Sequence, residues 1–253
     1  MLPSFTLQNR LALVTGSTMG IGLAIAKAFA SAGARVALHG RSAADDAAAA
    51  LDTVAAIAPD TRLFLADLAE VGASRALAAE VGSSMGAPDI VVHCASIESR
   101  RPWQSLEWPE AELQLRLNVW AGIELFQSVV PSMADRGWGR LIAIGSVQQV
   151  KPHPDMLVYA ASKSAQDSVV RSLAHQLART GITANTIAPG AILTPRTAGV
   201  LADAAYARKV EESIPLGFIG SPDDCAGAAL LLASEAGRYI SGETLYVDGL
   251  KNF

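Results

Sequence analysis

The sequence has little cysteine, few aromatic residues and little charge. Two of its 253 residues are cysteines, and Cys94 and Cys225 lie far apart in apolar surroundings. A disulfide framework is therefore not expected, and the two cysteines form no metal-binding motif. The four histidines also lack the short spacings that metal ligands usually show. We expect a protein without a bound metal.

Long apolar runs and an excess of positive charge are missing as well. No stretch of about 18 uninterrupted apolar residues is present, so no transmembrane helix is predicted. The N-terminus has no basic segment followed by a long apolar one, and we expect no signal peptide. The net charge of −4 argues against a nucleic-acid surface. We expect a cytoplasmic protein whose partner is a small molecule, with neither nucleic acid nor a membrane among its partners.

Short aliphatic runs alternate regularly with longer helical patterns. Strands separated by helices predict right-handed crossovers and a parallel sheet, and near-continuous apolar strands are typical of a sheet covered on both faces. We predict an α/β fold with a doubly wound parallel sheet (a Rossmann fold), about seven strands and a single domain over residues 1–253. The predicted strands are residues 11–15, 35–39, 62–66, 89–93, 140–145, 183–188 and 244–247. The predicted helices are residues 20–32, 43–57, 70–84, 107–136, 157–180 and 223–235.

The segment 194–221 lies between the last two predicted strands and carries no strand signal of its own. In a doubly wound sheet such an insertion often covers a binding site, because ligands bind at the carboxyl ends of the strands. A plain connecting helix and loop fits the spacing equally well. Both interpretations stay open from the sequence.

A glycine-rich loop, "TGSTMGIG", follows the first predicted strand. Gly16 permits a tight turn, and Gly20 and Gly22 let the backbone approach a ligand closely. The helix that follows offers free N–H groups and the positive end of its dipole to a pyrophosphate. A strand–loop–helix context of this kind predicts dinucleotide binding, with a turn needed only for packing as the alternative. The candidate cofactor-binding residues of the loop are Gly16, Ser17, Met19, Gly20, Ile21 and Gly22.

The end of the second strand indicates which dinucleotide is bound. A carboxylate there would bind the ribose hydroxyl of NAD, whereas an arginine would bind the 2′-phosphate of NADP. The letters are "HGRS", so Arg41 can offer charge-assisted bonds to a phosphate and Ser42 can add a hydroxyl. NADP is therefore favoured, with NAD possible, although Arg41 could also be a solvated loop cation.

A tyrosine and a lysine stand four residues apart in "VYAASK", on one face of a predicted helix. A free Tyr has a pKa of about 10, too high for an efficient base near neutral pH. A cation one turn away would favour the phenolate, so Lys163 is expected to lower the pKa of Tyr159. Taken alone, however, the spacing is a common accident.

Several further motifs, found in a fixed order along the chain, make an accidental Tyr–Lys spacing less plausible. Together they show that the chain resembles the short-chain dehydrogenase/reductase family over essentially its whole length. The resemblance includes the glycine loop, the pair Asp67–Leu68 after the third strand, "PGAILT" (189–194) and "ISGETLYVDG" (240–249). It also includes a set of four polar residues in the family's order and spacing. That set is Asn118, Ser146, Tyr159 and Lys163.

The resemblance implies an NAD(P)(H)-dependent oxidoreductase that interconverts a secondary alcohol and a ketone. Tyr159 is then the general acid/base, Ser146 bonds the substrate oxygen, and Asn118 holds a water that links Lys163 to solvent. Lys163 would also hold the nicotinamide ribose. A homotetramer is implied, with a dimer possible. Further cofactor-binding residues are expected at Asp67, Leu68, Cys94, Ala95, Ser96, Tyr159, Lys163, Pro189, Gly190, Ile192 and Thr194.

Two departures from the family pattern concern the cofactor. The family usually has N-N-A-G after the fourth strand, and this chain has "HCAS", which removes two amides and puts Ser96 in place of glycine. NADP-using members often carry a basic residue at the position of Met19. Arg41 must then supply most of the recognition of the 2′-phosphate.

The substrate is expected to meet the loops after Ser96 and Ser146. Both are more polar than a steroid or long acyl chain would require, which favours a small polar substrate such as a sugar, polyol or hydroxy acid. Alternatives are a 3-oxoacyl thioester reductase of lipid synthesis and a catalytically silent dinucleotide-binding sensor. The candidate substrate-binding residues are Ser146, Gln148, His153, Tyr159 and Arg101.

Overall fold

The structure is a computed structural model that describes residues 3–43 and 45–252. Seven parallel strands form one sheet in the order β3-β2-β1-β4-β5-β6-β7. This confirms the predicted fold class, and each predicted strand is present with ends that differ by no more than about one residue. The strands are β1 (Leu11–Val14), β2 (Arg35–Gly40), β3 (Arg62–Leu65), β4 (Ile90–His93), β5 (Gly139–Ile144), β6 (Ile182–Pro189) and β7 (Thr244–Val247).

Helices cover both faces of this sheet. None of those in the described ranges is long and apolar enough to cross a membrane. They are α1 (Gly20–Ser31), α2 (Asp45–Ala55), α3 (Ala73–Met85), α4 (Trp108–Leu115), α5 (Ala121–Asp135), α6 (Leu157–Gln176), α7 (Pro195–Leu201), α8 (Ala204–Glu212) and α9 (Pro222–Ala233). The predicted helix 107–136 is divided by a π-helical turn, Arg116–Trp120. Such turns occur often at functional sites.

The two faces of the sheet carry separate cores. Along β1, Ala12 and Val14 pack with Phe29 of α1 on one face. Leu11 and Leu13 point the other way, into the cluster around the α5 side. Because successive side chains of a strand alternate between faces, a strand covered on both sides must be apolar throughout. This is the physical reason that the strands could be located from their continuous apolar runs.

The insertion between β6 and β7 forms α7 and α8 and leans on the loop after β4. Arg196 of α7 donates two hydrogen bonds to Ser96, and the guanidinium of Arg100 donates to the Tyr206 hydroxyl at 3.3 Å. The segment 194–221 therefore spans between the carboxyl ends of β4 and β6. Of the two interpretations left open by the sequence, this contact pattern favours a cover over the strand ends.

Candidate active site

The glycine loop is packed so tightly that side chains cannot replace its glycines. Gly16 has φ of +62°, and a Cβ added there would lie 2.9 Å from the Cα of Ala95. A Cβ on Gly22 would collide with the carbonyl oxygen of Gly16. Gly20 has φ of +55°, in the left-handed region that favours glycine. The sequence pattern thus corresponds to real close approaches of backbone to backbone.

The N-terminus of α1 opens from this loop without a side-chain cap. Met19 occupies the capping position and makes no side-chain hydrogen bond to the helix. The first-turn N–H groups therefore point from the helix end with the positive end of the dipole, which is the arrangement that binds a pyrophosphate. Ile21 follows in the first turn and is partly buried. Thr194, after β6, lies beside the loop, with its side chain 3.5 Å from where a Gly20 Cβ would be.

His39, at the end of β2, holds the glycine loop from behind. Its Nδ1 accepts the Gly16 N–H at 3.1 Å, and its Nε2 lies 3.0 Å from the carbonyl oxygen of Ala66. An imidazole that accepts at Nδ1 carries its proton on Nε2, so Nε2 donates to Ala66 and the ring is neutral. Burial lowers the pKa of His39, which favours this neutral form.

Ser17 belongs to the same support rather than to the open side of the loop. It is fully buried, and its hydroxyl accepts the backbone N–H of His39 at 2.9 Å. Its own N–H donates to the His39 carbonyl at 3.0 Å. Among the predicted cofactor residues of the loop, we therefore expect Ser17 to shape the loop and not to bond a ligand through its side chain.

The ends of β2 and β3 lie next to the glycine loop, because His39 bonds both Gly16 and Ala66. Arg41 and Ser42 are exposed, and within the described ranges no side chain or backbone group is bonded to the Arg41 guanidinium. Asp67 accepts the N–H of Ala69 at 3.0 Å, and Leu68 is buried. The geometry leaves Arg41 available for an anion from outside the chain.

The loop after β4 is held by backbone bonds despite its unusual "HCAS" sequence. The N–H groups of Cys94 and Ala95 both donate to the hydroxyl of Thr15, at 3.0 and 3.1 Å. Burial raises the pKa of the Cys94 thiol, so this side chain is neutral near pH 7. Loss of the two amide side chains is thus offset by a threonine at the end of β1.

Ser146 and Tyr159 meet at the carboxyl end of β5. Ser146 lies close enough to the Tyr159 side chain to lower the pKa of its phenol. Ser146 also begins the short 3₁₀ turn Val147–Gln149, where its Oγ accepts the Gln148 N–H at 3.2 Å. Both residues are buried. The structure therefore brings together the predicted acid/base and the residue predicted to bond the substrate oxygen.

The pKa of Tyr159 moves opposite to the expectation from Lys163. Burial, followed by the negative charge of Glu98, raises the pKa of Tyr159 to about 12. The positive charge of Arg196 and the neighbouring Ser146 side chain oppose this rise. The cation that acts on the phenol is therefore Arg196, which the sequence did not single out. The phenol is neutral near pH 7.

Lys163 lies one turn from Tyr159 but is turned toward the sheet. Its Nζ donates to the carbonyl oxygen of Ile144 at 2.6 Å and to Oε1 of Gln166 at 3.2 Å. The same Nζ is 5.7 Å from the centre of the Tyr159 ring. Its side chain is only 1% exposed, and burial lowers the pKa of Lys163 to about 7. The ammonium is thus positioned by β5 and is easily deprotonated.

Asn118 lies in the π-helical turn and clamps the loop after β4. Its Oδ1 accepts the Ile97 N–H and its Nδ2 donates to the Ile97 carbonyl, both at 2.9 Å. Nδ2 also donates to the Ser162 hydroxyl at 3.0 Å. Through Ser162 the residue joins helix α6, which carries Tyr159. The role in a proton relay through water stays a prediction, and the observed contacts are those of a clamp.

Gln148, His153 and Arg101, which were predicted to bind the substrate, are bonded to other groups of the protein. Oε1 of Gln148 accepts the His153 N–H at 2.5 Å, and Nδ1 of His153 accepts the Asp155 N–H at 3.1 Å. The Nε of Arg101 forms an ion pair with Glu110 at 3.0 Å. The backbone N–H of Arg101 donates to the Asp155 carbonyl at 2.8 Å. These bonds join the loop after β4 to the loop after β5. Arg101 is therefore held by Glu110, so its charge is already balanced.

The segment after β6 forms the remaining wall. Pro189 ends the strand, and Gly190 donates its N–H to Val247 at 2.9 Å. Ile192 is buried, with a backbone bridge to Gly220. Thr194 begins α7 and its N–H donates to the Thr197 hydroxyl. These residues set the position of Arg196.

Three functional-site residues were missed by the sequence reasoning. Thr15 and His39 support the cofactor loops from buried positions, and Arg196 reaches the loop after β4. The position of Thr15 at the end of β1 was a usable signal, because strand ends converge at the site. Arg196 had no such signal, since it lies in the segment without strand character. Within residues 3–43 and 45–252, no group of three or more His, Cys, Asp or Glu side chains is arranged to hold a metal ion.

Comparison with known proteins adds the context of relatives. A family model described as enoyl-(acyl carrier protein) reductase matches residues 16–249. A 3α-hydroxysteroid dehydrogenase of Mediterraneibacter gnavus is 34% identical, with 96% of this chain and 97% of that protein covered. Two solved structures are similar at this level. They are a 3-oxoacyl (acyl-carrier-protein) reductase from Agrobacterium tumefaciens with NADP bound (36% identity, TM-score 0.93, coverage 97% and 95%) and a gluconate 5-dehydrogenase from Burkholderia cenocepacia in complex with NADP and tartrate (34% identity, TM-score 0.91, coverage 97% and 96%).

Proposed function

The chain belongs to the short-chain dehydrogenase/reductase family, and from this premise we propose that it interconverts a secondary alcohol and a ketone with NADP(H), acting on a small polar substrate such as a sugar, polyol or hydroxy acid. As a member of the family it is an oxidoreductase of CH–OH groups that uses NAD(P). The observation that carries the proposal is the burial of Tyr159 together with Ser146, which acts on the Tyr159 phenol, at the carboxyl end of β5.

The cofactor cleft fits a dinucleotide. The close approaches at Gly16 and Gly22 leave no room for side chains, and the first turn of α1 presents uncapped N–H groups. Arg41 and Ser42 would hold a 2′-phosphate, and Asp67 and Leu68 would border the adenine. When bound, the nicotinamide supplies or accepts the hydride. The NADP that accompanies the two solved relatives supports NADP over NAD.

Side chains of this protein would donate and accept the proton of the reaction. Because the pKa of Tyr159 is about 12, the phenol is protonated near neutral pH and can donate to a developing alkoxide during ketone reduction. Ser146 would donate a hydrogen bond to the same oxygen and stabilise its charge. Lys163 fixes the end of β5 against α6. Reduction is thus the direction that the protonated state of Tyr159 supports best.

A substrate panel tests the proposal. We expect NADPH oxidation with small sugar ketones or keto acids to exceed that with a 3-oxoacyl thioester. The opposite order would favour the lipid-synthesis alternative and overturn the polar-substrate proposal. A chain that binds NADPH but turns over neither class would support a dinucleotide-binding sensor.

Arg41 is predicted to determine the choice of cofactor. Arg41→Ala should raise the KM for NADPH by about ten- to a hundredfold and leave the KM for NADH unchanged, because a charge-assisted pair with the 2′-phosphate is lost. Arg62→Ala is the matched control. Arg62 is an exposed arginine at the amino end of β3, whereas Arg41 follows the carboxyl end of β2. An unchanged NADPH/NADH ratio in Arg41→Ala would mean that Arg41 is only a loop cation.

His39 is predicted to support cofactor binding mainly through Nδ1, which bonds Gly16, and two variants distinguish this nitrogen from Nε2. His39→Asn keeps an acceptor at the place of Nδ1, whereas His39→Gln keeps a donor near Nε2 and leaves the Gly16 N–H without its acceptor. We expect the Kd for NADPH to rise about tenfold in His39→Gln and about two- to threefold at most in His39→Asn. Fluorescence titration of NADPH measures both. Equal weakening in the two variants would contradict a specific role for the Gly16 bond.

The assembly and location are further parts of the proposal. Trp108 and Trp120 expose 76% and 63% of their surface along the α4–α5 region, which supports burial against another subunit. We propose a homotetramer, with a dimer as the alternative, in the cytoplasm. Light scattering after size exclusion measures the subunit number directly.

A further inference from the structure

We propose that Arg196 recognises the charge of the substrate: its guanidinium binds a substrate carboxylate in place of Glu98 and so selects an acidic sugar or hydroxy acid over its neutral analogue. The inference rests on the proposed function, since it names the substrate class of that same site. No motif of the sequence pointed to this residue. Its position, its bonds and its ionic neighbour carry the inference.

Arg196 is held beside the carboxyl end of β4 by the loop that follows this strand. Its Nη1 donates to Oγ of Ser96 at 3.1 Å, and its Nη2 donates to the Ser96 carbonyl at 2.6 Å. Ser96 occupies the place at which the family usually has glycine, and a glycine has no hydroxyl to accept the first bond. The departure at Ser96 therefore provides an anchor for Arg196, and the two features are explained together.

The charges of Arg196 and Glu98 both act on the reacting phenol. Glu98 raises the pKa of Tyr159 and Arg196 lowers it, after the effect of burial. The structure also connects Arg196 to the helix of Tyr159: Arg196 is bonded to Ser96, and the next residue, Ile97, is tied through Asn118 to Ser162 of α6. A substrate whose carbonyl oxygen reaches Tyr159 therefore brings groups a few bonds away into the vicinity of Arg196.

The pairing between Arg196 and Glu98 is loose and open to replacement. Their nearest atoms, Nη1 and Oε2, are 3.9 Å apart, and both side chains are partly exposed. A guanidinium has five N–H donors, and the two bonds to Ser96 leave others free for a ligand. An incoming carboxylate can form two parallel charge-assisted bonds, which Glu98 does not form at this distance.

The other cations that the sequence offered are already committed. Arg101 pairs with Glu110 at 3.0 Å. The guanidinium of Arg100 donates to the Tyr206 hydroxyl, and Nδ1 of His153 accepts the Asp155 N–H. Arg196 differs from these residues because it combines a fixed position, a loosely held counter-ion and an electrostatic effect on Tyr159.

The test compares two ketones that differ in a single group. 5-Keto-D-gluconate carries a carboxylate where L-sorbose carries a hydroxymethyl group, and the rest of the carbon chain is the same. Initial rates of NADPH oxidation are measured with both. Arg196→Gln should lower the ratio of kcat/KM for 5-keto-D-gluconate to kcat/KM for L-sorbose by about ten- to a hundredfold, because any effect through Tyr159 is common to both ketones. The KM for NADPH should be unchanged.

A second variant predicts the opposite sign. Glu98→Gln removes the competing carboxylate, so the KM for 5-keto-D-gluconate should fall while the KM for L-sorbose stays constant. A folding defect cannot produce this gain. Arg100→Gln is the matched control, because it breaks a contact between the same two segments without removing the charge beside Tyr159.

The outcomes separate the inference from the function on which it rests. If Arg196→Gln weakens both ketones equally, the residue is structural, and if it raises the KM for NADPH instead, it binds the cofactor. Either result overturns the inference and leaves the proposed function intact, as does wild-type turnover of L-sorbose alone. Failure of the wild-type enzyme on both ketones, with turnover of a 3-oxoacyl thioester, would overturn the proposed function itself.

Discussion

Replacing Tyr159 by Phe should lower kcat by about 10²–10⁴-fold while the Kd for NADPH stays nearly constant. The variant keeps the ring and loses only the hydroxyl, the group that we expect to donate the proton. Because the ring is buried beside the sheet end, its packing is preserved and the loss falls on proton transfer. Stopped-flow or steady-state NADPH oxidation measures kcat, and fluorescence titration measures cofactor binding.

Tyr239→Phe is the matched control for this prediction. Tyr239 is fully exposed, so removal of its hydroxyl should leave kcat and stability unchanged. Equal activity of Tyr159→Phe and the wild-type enzyme would refute the assignment of Tyr159 as the proton donor. A loss of NADPH binding in the same variant would instead indicate a role in holding the cofactor.

The pH dependence of the Tyr159 step follows from the same environment. The raised pKa means that the phenol stays protonated up to about pH 12 without further positive charge. Oxidation of an alcohol would need the phenolate, which nearby cations and hydrogen bonds to the charged form favour. Arg196 is the cation that the structure provides, and the charge of an oxidised nicotinamide would act in the same direction. The protonated phenol is the form that donates a proton in reduction, and added positive charge would favour the phenolate that the reverse reaction needs.

The fold could be predicted because its main determinant is local in the sequence. A strand covered on both faces is expected to be mainly apolar, and β1 shows this at every position, while β4 and β5 depart from it only at His93 and Arg140. The division of the long central helix was not predicted. Its π turn at Arg116–Trp120 arises where Asn118 turns to clamp the backbone of Ile97, a contact across 21 positions of the chain.

The candidate site was predicted less completely for a related reason. Ser146 and Tyr159 follow known spacings and lie together as expected. The direction of the Tyr159 pKa depends instead on burial and on Glu98 and Arg196, which come from two different loops. The anchor of Arg196 on Ser96 joins residues 100 positions apart. No local pattern encodes such a contact, so only the folded chain reveals it.

Tyr159 and Lys163 share one electrostatic consequence of burial. The pKa of Tyr159 rises and that of Lys163 falls, so both groups shift toward their neutral forms. A buried site disfavours any charge that lacks a close partner. We therefore expect the lysine to destabilise the folded chain near neutral pH, although the family resemblance places it in the catalytic set. This leads to a prediction in which activity and stability change in opposite directions.

Replacing Lys163 by Met should lower kcat/KM by about 10²-fold or more and at the same time raise stability at pH 6.5. The fall of the Lys163 pKa from 10.5 to about 7 corresponds to about 5 kcal/mol of destabilisation below pH 7. Loss of the bonds to Ile144 and Gln166 costs about 1–3 kcal/mol in return. We therefore expect the free energy of unfolding of Lys163→Met at pH 6.5 to exceed that of the wild type by about 2–4 kcal/mol.

The sign of the pH dependence makes this prediction specific. Between about pH 7 and 10.5 the unfolded chain binds the Lys163 proton and the folded chain does not, so wild-type stability rises with pH relative to the variant. The advantage of Lys163→Met should therefore disappear by about pH 9.5, where the residual penalty is about 1.4 kcal/mol and the lost hydrogen bonds balance it. Urea unfolding at pH 6.5, 8 and 9.5 measures the difference. Lys209→Met, at an exposed lysine of α8, should show no such trend, and a constant difference for Lys163→Met would mean that Lys163 is charged in the folded protein throughout.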